Sequence, residues 1–134
     1  MSRIQWLQIA ALAILIIGLF SKVGTVELYA EEPRRAIVSL EMEMSGEYIV
    51  PTIHGENYYN KPPFYNWVLI GSAKLMGGFS EWSMRMPGLI SFILLALCVY
   101  KATKKYINKD AAMLAGLGFL ANPDILFYAS NVAG

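Results

Sequence analysis

The stretch Glu31–Trp67, EEPRRAIVSLEMEMSGEYIVPTIHGENYYNKPPFYNW, decides how this chain is read. It is the one long polar region between apolar segments. It carries six of the ten acidic residues, the Arg34–Arg35 pair, the lone histidine and the Pro62–Pro63 step. Polar residues packed this densely between apolar runs read as a loop at a membrane surface.

Composition supports that setting. The chain has 134 residues and a formal net charge of +1, with 56% hydrophobic and 16% charged residues. Soluble domains run about 45–50% apolar and about 25% charged, so membrane residence is the first expectation. A net charge near zero gives no reason to expect nucleic acid as a partner. Cys98 stands alone in an apolar run, forms no internal disulfide and reads as structural. CxxC, HExxH, P-loop and GxGxxG patterns are all missing from the sequence.

Working outward from the polar stretch, Ile4–Phe20 has no charged residue. It meets the lower end of the roughly 17–25 residues a helix needs to cross a bilayer. A cleaved signal peptide has a similar outline. No small-x-small cleavage pattern follows closely, however, and two more apolar runs come later, so a first span at about 4–20 is expected. Gly88–Tyr100 is almost wholly apolar and leads to Lys101, Lys104 and Lys105. It reads as a span at about 87–105 with snorkelling lysines. Lys109–Asp110 reads as a short turn. A third span follows at about 110–128, with Gly116 and Gly118 suited to close helix packing and an interruption at Asn122–Pro123–Asp124. The connector 101–109 carries four lysines and no acid, which places it and the N-terminus in the cytoplasm. The 21–86 loop is then periplasmic or extracellular. The expected fold is an all-α membrane protein with three transmembrane helices and two interfacial helices in its first outer loop.

Inside that loop, Glu31-Glu32-Pro33 suits a helix start, because proline fits the first turn and carboxylates favour the positive end of the helix dipole. Ile37, Leu40 and Met44 recur at helical spacing, and Gly46 suits a stop. The helix is too polar to span and is expected to lie in the interface. Tyr48–Pro51 reads as extended, and His54–Gly55 as a turn. Pro62–Pro63 opens a second helix, FYNWVLIGSAKLM, stopped by Gly77–Gly78. Ser80–Pro87 reads as a connector.

The chemistry of the stretch has two readings. Neighbouring carboxylates at a helix start can supply a general base and an orienting partner. Adjacent helical residues point about 100° apart, so Glu31 and Glu32 would hold separate roles. Arg34 as a planar fork and Lys61 as a point charge suit a phosphate. Taken residue by residue, the same groups also read as a solvated charged face. His54 reads first as a turn residue, and Tyr58, Tyr59, Tyr65 and Trp67 as an interfacial belt or a sugar platform. One histidine among scattered glutamates makes no metal site.

The ordered set of phrases resembles the N-terminal part of the C-type (GT-C fold) glycosyltransferases of the protein O-mannosyltransferase and aminoarabinose transferase superfamily. These phrases are Glu31-Glu32-Pro33-Arg34, Glu41-Met42, Ser45-Gly46-Glu47-Tyr48-Ile49-Val50-Pro51, Gly55, Tyr58-Tyr59-Asn60-Lys61-Pro62, Tyr65-Asn66-Trp67 and Ser83-Met84-Arg85-Met86-Pro87. The resemblance implies a membrane enzyme that moves a sugar, with inversion, from a polyprenyl-phosphate donor to a hydroxyl or phosphate acceptor on the outer face. It places Glu31 in the catalytic acidic position, flanked by Glu32 and Arg34, with Lys61 on the donor phosphate. Tyr59 and His54 complete the candidate substrate-binding set. Two departures stand out. Glu31 fills a position more usually Asp. Asn60 precedes the Lys-Pro step where the aminoarabinose branch has a metal-binding Glu, so no metal or other cofactor is expected. Members are several times longer, so the resemblance implies an N-terminal piece of such an enzyme. The rivals are a non-enzymatic small membrane protein that binds a lipid or partner through the 21–86 loop, and an undecaprenyl-phosphate-binding subunit without catalysis.

Overall fold

The computed structural model describes residues 3–21, 23–24, 27–28 and 31–123. They form five helices and one small hairpin: α1 (Arg3–Ser21), α2 (Glu32–Ser45), β1 (Thr52–Ile53), β2 (Glu56–Asn57), α3 (Phe64–Met76), α4 (Glu81–Tyr106) and α5 (Lys109–Leu120).

Local chemistry sets most boundaries. Pro33 sits in the first turn of α2, and Gly46 closes that helix at φ 72°, donating its N–H to the Met42 carbonyl. Gly77 closes α3 in the same left-handed way, at φ 84°. A residue with a Cβ is disfavoured at such a φ, so glycine makes the stop sharp. The two hairpin strands pair Thr52 with Asn57 and Ile53 with Glu56. The central turn residues His54 and Gly55 both have positive φ, at 54° and 79°. That is the geometry whose twist matches a two-residue hairpin. Tyr48–Pro51 therefore leads into a hairpin that alternation alone did not announce.

Two boundaries differ from expectation, and a third is met at the expected interruption. α4 starts at Glu81 rather than at about residue 87. Ser83 N–H donates to Ser80 Oγ at 3.2 Å and Ser80 N–H to Ser83 Oγ at 2.8 Å, a reciprocal cap that nucleates the helix ahead of the proline. Pro87 then falls in the second turn, where the helix absorbs it. Lys109–Asp110 is the first turn of α5, capped by Asn108 Oδ1 accepting from Ala111 N–H at 2.8 Å. The third apolar run ends its helix at Leu120, just before Asn122–Pro123, and its expected continuation to residue 128 lies outside the described residues.

α4 is the one described helix long and apolar enough to cross a membrane. The apolar part of α1, Trp6–Ser21, is shorter, and α5 rises only about 18 Å at 1.5 Å per residue. Leu19 and Val23 pack on Leu89 and Phe92 of α4, with Phe119 stacked on Phe92 at 5.4 Å. Gly116 of α5 lies against Tyr100 of α4, where an added Cβ would stand 3.7 Å from Tyr100 Cβ. A second core joins Val38 and Met42 of α2 to Ile70 of α3, with Ile53 and Tyr58 of the hairpin region against it. A third centres on Leu69 and Met84, so α3 lies between α2 and α4. The packed face of α2 is Glu32, Val38, Ser39 and Met42. The expected stripe is not that face, since Leu40 and Met44 are exposed. Cys98 is exposed on α4.

Candidate active site at two helix starts

The N-terminal ends of α2 and α3 meet. Glu31, the N-cap residue of α2, does not turn its side chain back to cap the helix. Its carboxylate instead accepts from Arg34 Nη1 at 2.8 Å and 3.0 Å, and Lys61 Nζ stands 3.8 Å away. All three side chains keep access to solvent. One carboxylate between two cations leaves a net positive cluster, placed where α2 also presents the positive end of its dipole. Arg34 has guanidinium hydrogens left over after the contact with Glu31. A carboxylate has about four lone-pair sites, so Glu31 can still take a proton from an incoming hydroxyl.

Glu32 is in a different situation. It is 1% exposed, and Arg85 is 3% exposed. Arg85 Nε donates to Glu32 Oε1 at 3.0 Å and Nη2 to Oε2 at 2.7 Å, a forked pair. The same guanidinium donates to the carbonyl of Val23 at 2.7 Å and to that of Glu27 at 3.1 Å. Arg85 therefore ties the start of α2 and the preceding linker to the first turns of α4. In the sequence Arg85 stood only inside the Ser83–Pro87 phrase ahead of a long apolar run, with no role of its own.

A polar seam continues between α2 and α3. The Arg35 guanidinium lies over the Tyr65 ring at 5.5 Å and donates from Nη1 to Asn66 Oδ1 at 3.5 Å. Burial pushes the Tyr65 hydroxyl above its usual range, which keeps it protonated. Asn66 is buried; in the sequence it stood inside the Tyr65-Asn66-Trp67 phrase with no role of its own.

His54 and Tyr59 are held elsewhere. His54 sits at the hairpin tip, where its backbone N–H donates to Glu41 Oε1 at 2.6 Å. Thr52 Oγ1–H and Gly55 N–H also donate to Glu41, at 2.8 Å and 3.3 Å. These bonds, that from Thr52 first, hold the Glu41 carboxyl below its usual range. The exposed Tyr59 accepts from Asn57 Nδ2 at 3.0 Å. Among the described residues neither His54 nor Tyr59 bonds to Glu31, Arg34 or Lys61. The described residues contain no group of three His, Cys, Asp or Glu side chains placed to hold a metal ion. The carboxylate at the cluster, Glu31, already faces two cations, an unsuitable setting for a divalent ion.

The backbone matches two solved structures over nearly its full length. ArnT from Cupriavidus metallidurans in the apo state superposes with a TM-score of 0.86 at 26% identity, over 98% of this chain and 25% of that one. The same protein bound to undecaprenyl phosphate gives 0.82 at 27% identity, over 98% and 24%. The undecaprenyl phosphate-alpha-4-amino-4-deoxy-L-arabinose arabinosyl transferase 2 of Proteus mirabilis is 33% identical over 92 residues, 68% of this chain and 16% of that protein. This helical frame is shared with ArnT over 98% of this chain. Residues 60–133 match the dolichyl-phosphate-mannose-protein mannosyltransferase family, and the chain belongs to that family. It spans about a quarter of the solved chains and about a sixth of the Proteus relative.

Proposed function

We propose that this chain forms the donor-side part of a glycosyltransferase that moves a sugar from a polyprenyl-phosphate carrier to an acceptor on the outer face of a membrane. The observation that carries the reading is the convergence of Glu31, Arg34 and Lys61 at the starts of α2 and α3. One relative is named for an undecaprenyl-phosphate-linked aminoarabinose, and ArnT was crystallised with undecaprenyl phosphate.

In this reading Glu31 accepts the proton of the acceptor hydroxyl. The acceptor oxygen forms its bond to the anomeric carbon from the face opposite the carrier. The carbon–oxygen bond to the phosphate breaks, and the electron pair leaves on the polyprenyl phosphate. Arg34 and Lys61 stabilise the negative charge that grows on that phosphate. One such contact at a transition state is worth roughly 3–4 kcal/mol. Glu32, with both oxygens on Arg85, acts as a positioning residue that fixes the α2 start. We place α1, α4 and the α5 segment in the membrane, the N-terminus in the cytoplasm and the 21–86 loop outside. The chain is read as the N-terminal part of a longer enzyme.

The test is Glu31→Gln in the natural full-length protein. Transfer falls by about 10²–10⁴-fold, the range a general base contributes, while membrane insertion and thermal stability hold. An unaltered transfer rate overturns the assignment.

A further inference from the structure

The far ends of α2 and α3 form a second constellation. Glu43 lies twelve residues beyond Glu31 on α2, about 18 Å along the helix at 1.5 Å per residue. Lys74, near the end of α3, stands 3.0 Å from Glu43 Oε1, and Tyr48 Oη–H donates to Glu43 Oε2 at 2.9 Å. The two helices therefore run in the same direction with an ion pair at each end. Beside the distal pair lies a cleft of about 290 Å³ lined by Tyr48, Trp67, Ile70, Gly71 and Lys74.

Three features give the cleft a chemistry. Its wall is aromatic and fixed in orientation. Trp67 Nε1–H donates to the Tyr48 carbonyl at 2.6 Å, Phe64 packs edge-on at 6.3 Å, and the indole stays 45% exposed. Its floor is open: Gly71, one turn after Trp67, has nothing within 4 Å of where a Cβ would stand. Its rim is polar but electrically neutral. Each end of the Glu43–Lys74 pair secures the other's charge, with the Glu43 carboxyl below and the Lys74 ammonium above its usual range. A carboxylate has about four lone-pair sites and an ammonium three donors, so both keep hydrogen-bonding capacity. Lys74 is also held over the Tyr48 ring, at 5.8 Å. An aromatic face with a few fixed polar groups is the composition of a small-molecule site.

We infer that this cleft binds a neutral saccharide ring, whose apolar C–H face stacks on Trp67 while its hydroxyls bond to Glu43 and Lys74. A neutral rim selects against a phosphate, which would need an unpaired cation. A saccharide is the expected occupant because of the glycosyl-transfer reading, and the inference rests on it in that respect. In that reading the cleft holds a sugar of the acceptor, away from the transfer point at Glu31.

The test uses the full-length protein in phosphatidylcholine nanodiscs, with methyl β-D-glucopyranoside and methyl α-D-mannopyranoside as probes in saturation-transfer NMR. A saturable signal is expected from at least one glycoside. Trp67→Ala and Gly71→Leu each weaken it at least tenfold. Gly71→Leu fills the floor at an exposed helical position and improves helix propensity, so it remains informative if Trp67→Ala fails to fold. No saturable signal from either glycoside overturns the proposal, as does a signal that both variants leave unchanged. Loss of the signal in phosphatidylglycerol nanodiscs also overturns it and makes the cleft an anionic headgroup site. Glu31→Gln separates the two readings. Glycoside binding persists in that variant, so retained transfer there sinks the enzymatic assignment without touching the cleft.

Discussion

Glu32 and Arg85, 53 residues apart in sequence, form a forked ion pair with both side chains almost fully buried. The pair joins the residue next to Glu31 to the start of the long apolar helix. Arg85 also holds two backbone carbonyls of the linker between α1 and α2. The direction in which Glu31 and Arg34 face is thus set by a contact that neither of them makes.

Breaking this pair is predicted to be costly. Removing one partner leaves an uncompensated buried charge, typically 3–5 kcal/mol destabilising. Arg85→Met alone lowers the melting temperature in detergent sharply, and Glu32→Leu with Arg85→Met recovers part of the loss. A double variant no more stable than Arg85→Met excludes the buried-charge explanation.

Gly24 is predicted to tolerate no side chain. A Cβ there would overlap the Trp82 indole, which is stacked on Phe20 with ring centroids 6.4 Å apart. Gly24→Ala destabilises by about 1–3 kcal/mol, the range for overpacking. Trp82→Ala in the same chain relieves it, as thermal unfolding of the single and double variants will report.

The hairpin tip carries a pH dependence through Glu41. Its carboxyl lies below its ordinary value of 4.5 because Thr52, His54 and Gly55 donate to it. A lowered carboxyl contributes stability that is complete above the ordinary value and is lost as pH falls through the lower folded-state value. Hydrogen exchange at the His54 and Gly55 amides is therefore expected to accelerate as pH drops below about 4.5, beyond the intrinsic trend. Glu41→Gln abolishes that excess.

Sidedness is open to direct labelling. With Cys98 replaced by Ser, a cysteine at Ser45, which is exposed at the end of α2, reacts with an impermeant maleimide in intact cells. Reaction only after the cells are opened reverses the topology.

Lys61 is predicted to act through the donor. Lys61→Met raises the KM for the polyprenyl-phosphate sugar and lowers kcat, with acceptor KM unchanged. Its contact to Glu31 is partly solvated, at 3.8 Å, and such pairs are worth about 0–1 kcal/mol, so folding is little affected. An unchanged donor KM together with an unchanged kcat removes Lys61 from the phosphate site.

The sequence by itself determined the stops of α2 and α3, the start of α2 and the hairpin turn. Gly46, Gly77 and His54–Gly55 adopt positive φ, and Pro33 sits in a first turn. These outcomes depend on residues within a few positions of each other, so local rules reach them. The two clusters Glu31–Arg34 and Asn60–Pro63 were legible as helix starts, but nothing in the order of residues required them to meet. Only the tertiary structure decided that Glu31 faces Lys61 while its neighbour Glu32 faces Arg85. It also turned Val38, Ser39 and Met42 inward and left Leu40 and Met44 exposed. The reason is physical. Neighbouring helical residues point about 100° apart, so two adjacent glutamates receive opposite environments. Which one meets solvent and which meets a buried guanidinium depends on how α2 packs against α3 and α4, a choice made across dozens of residues of chain.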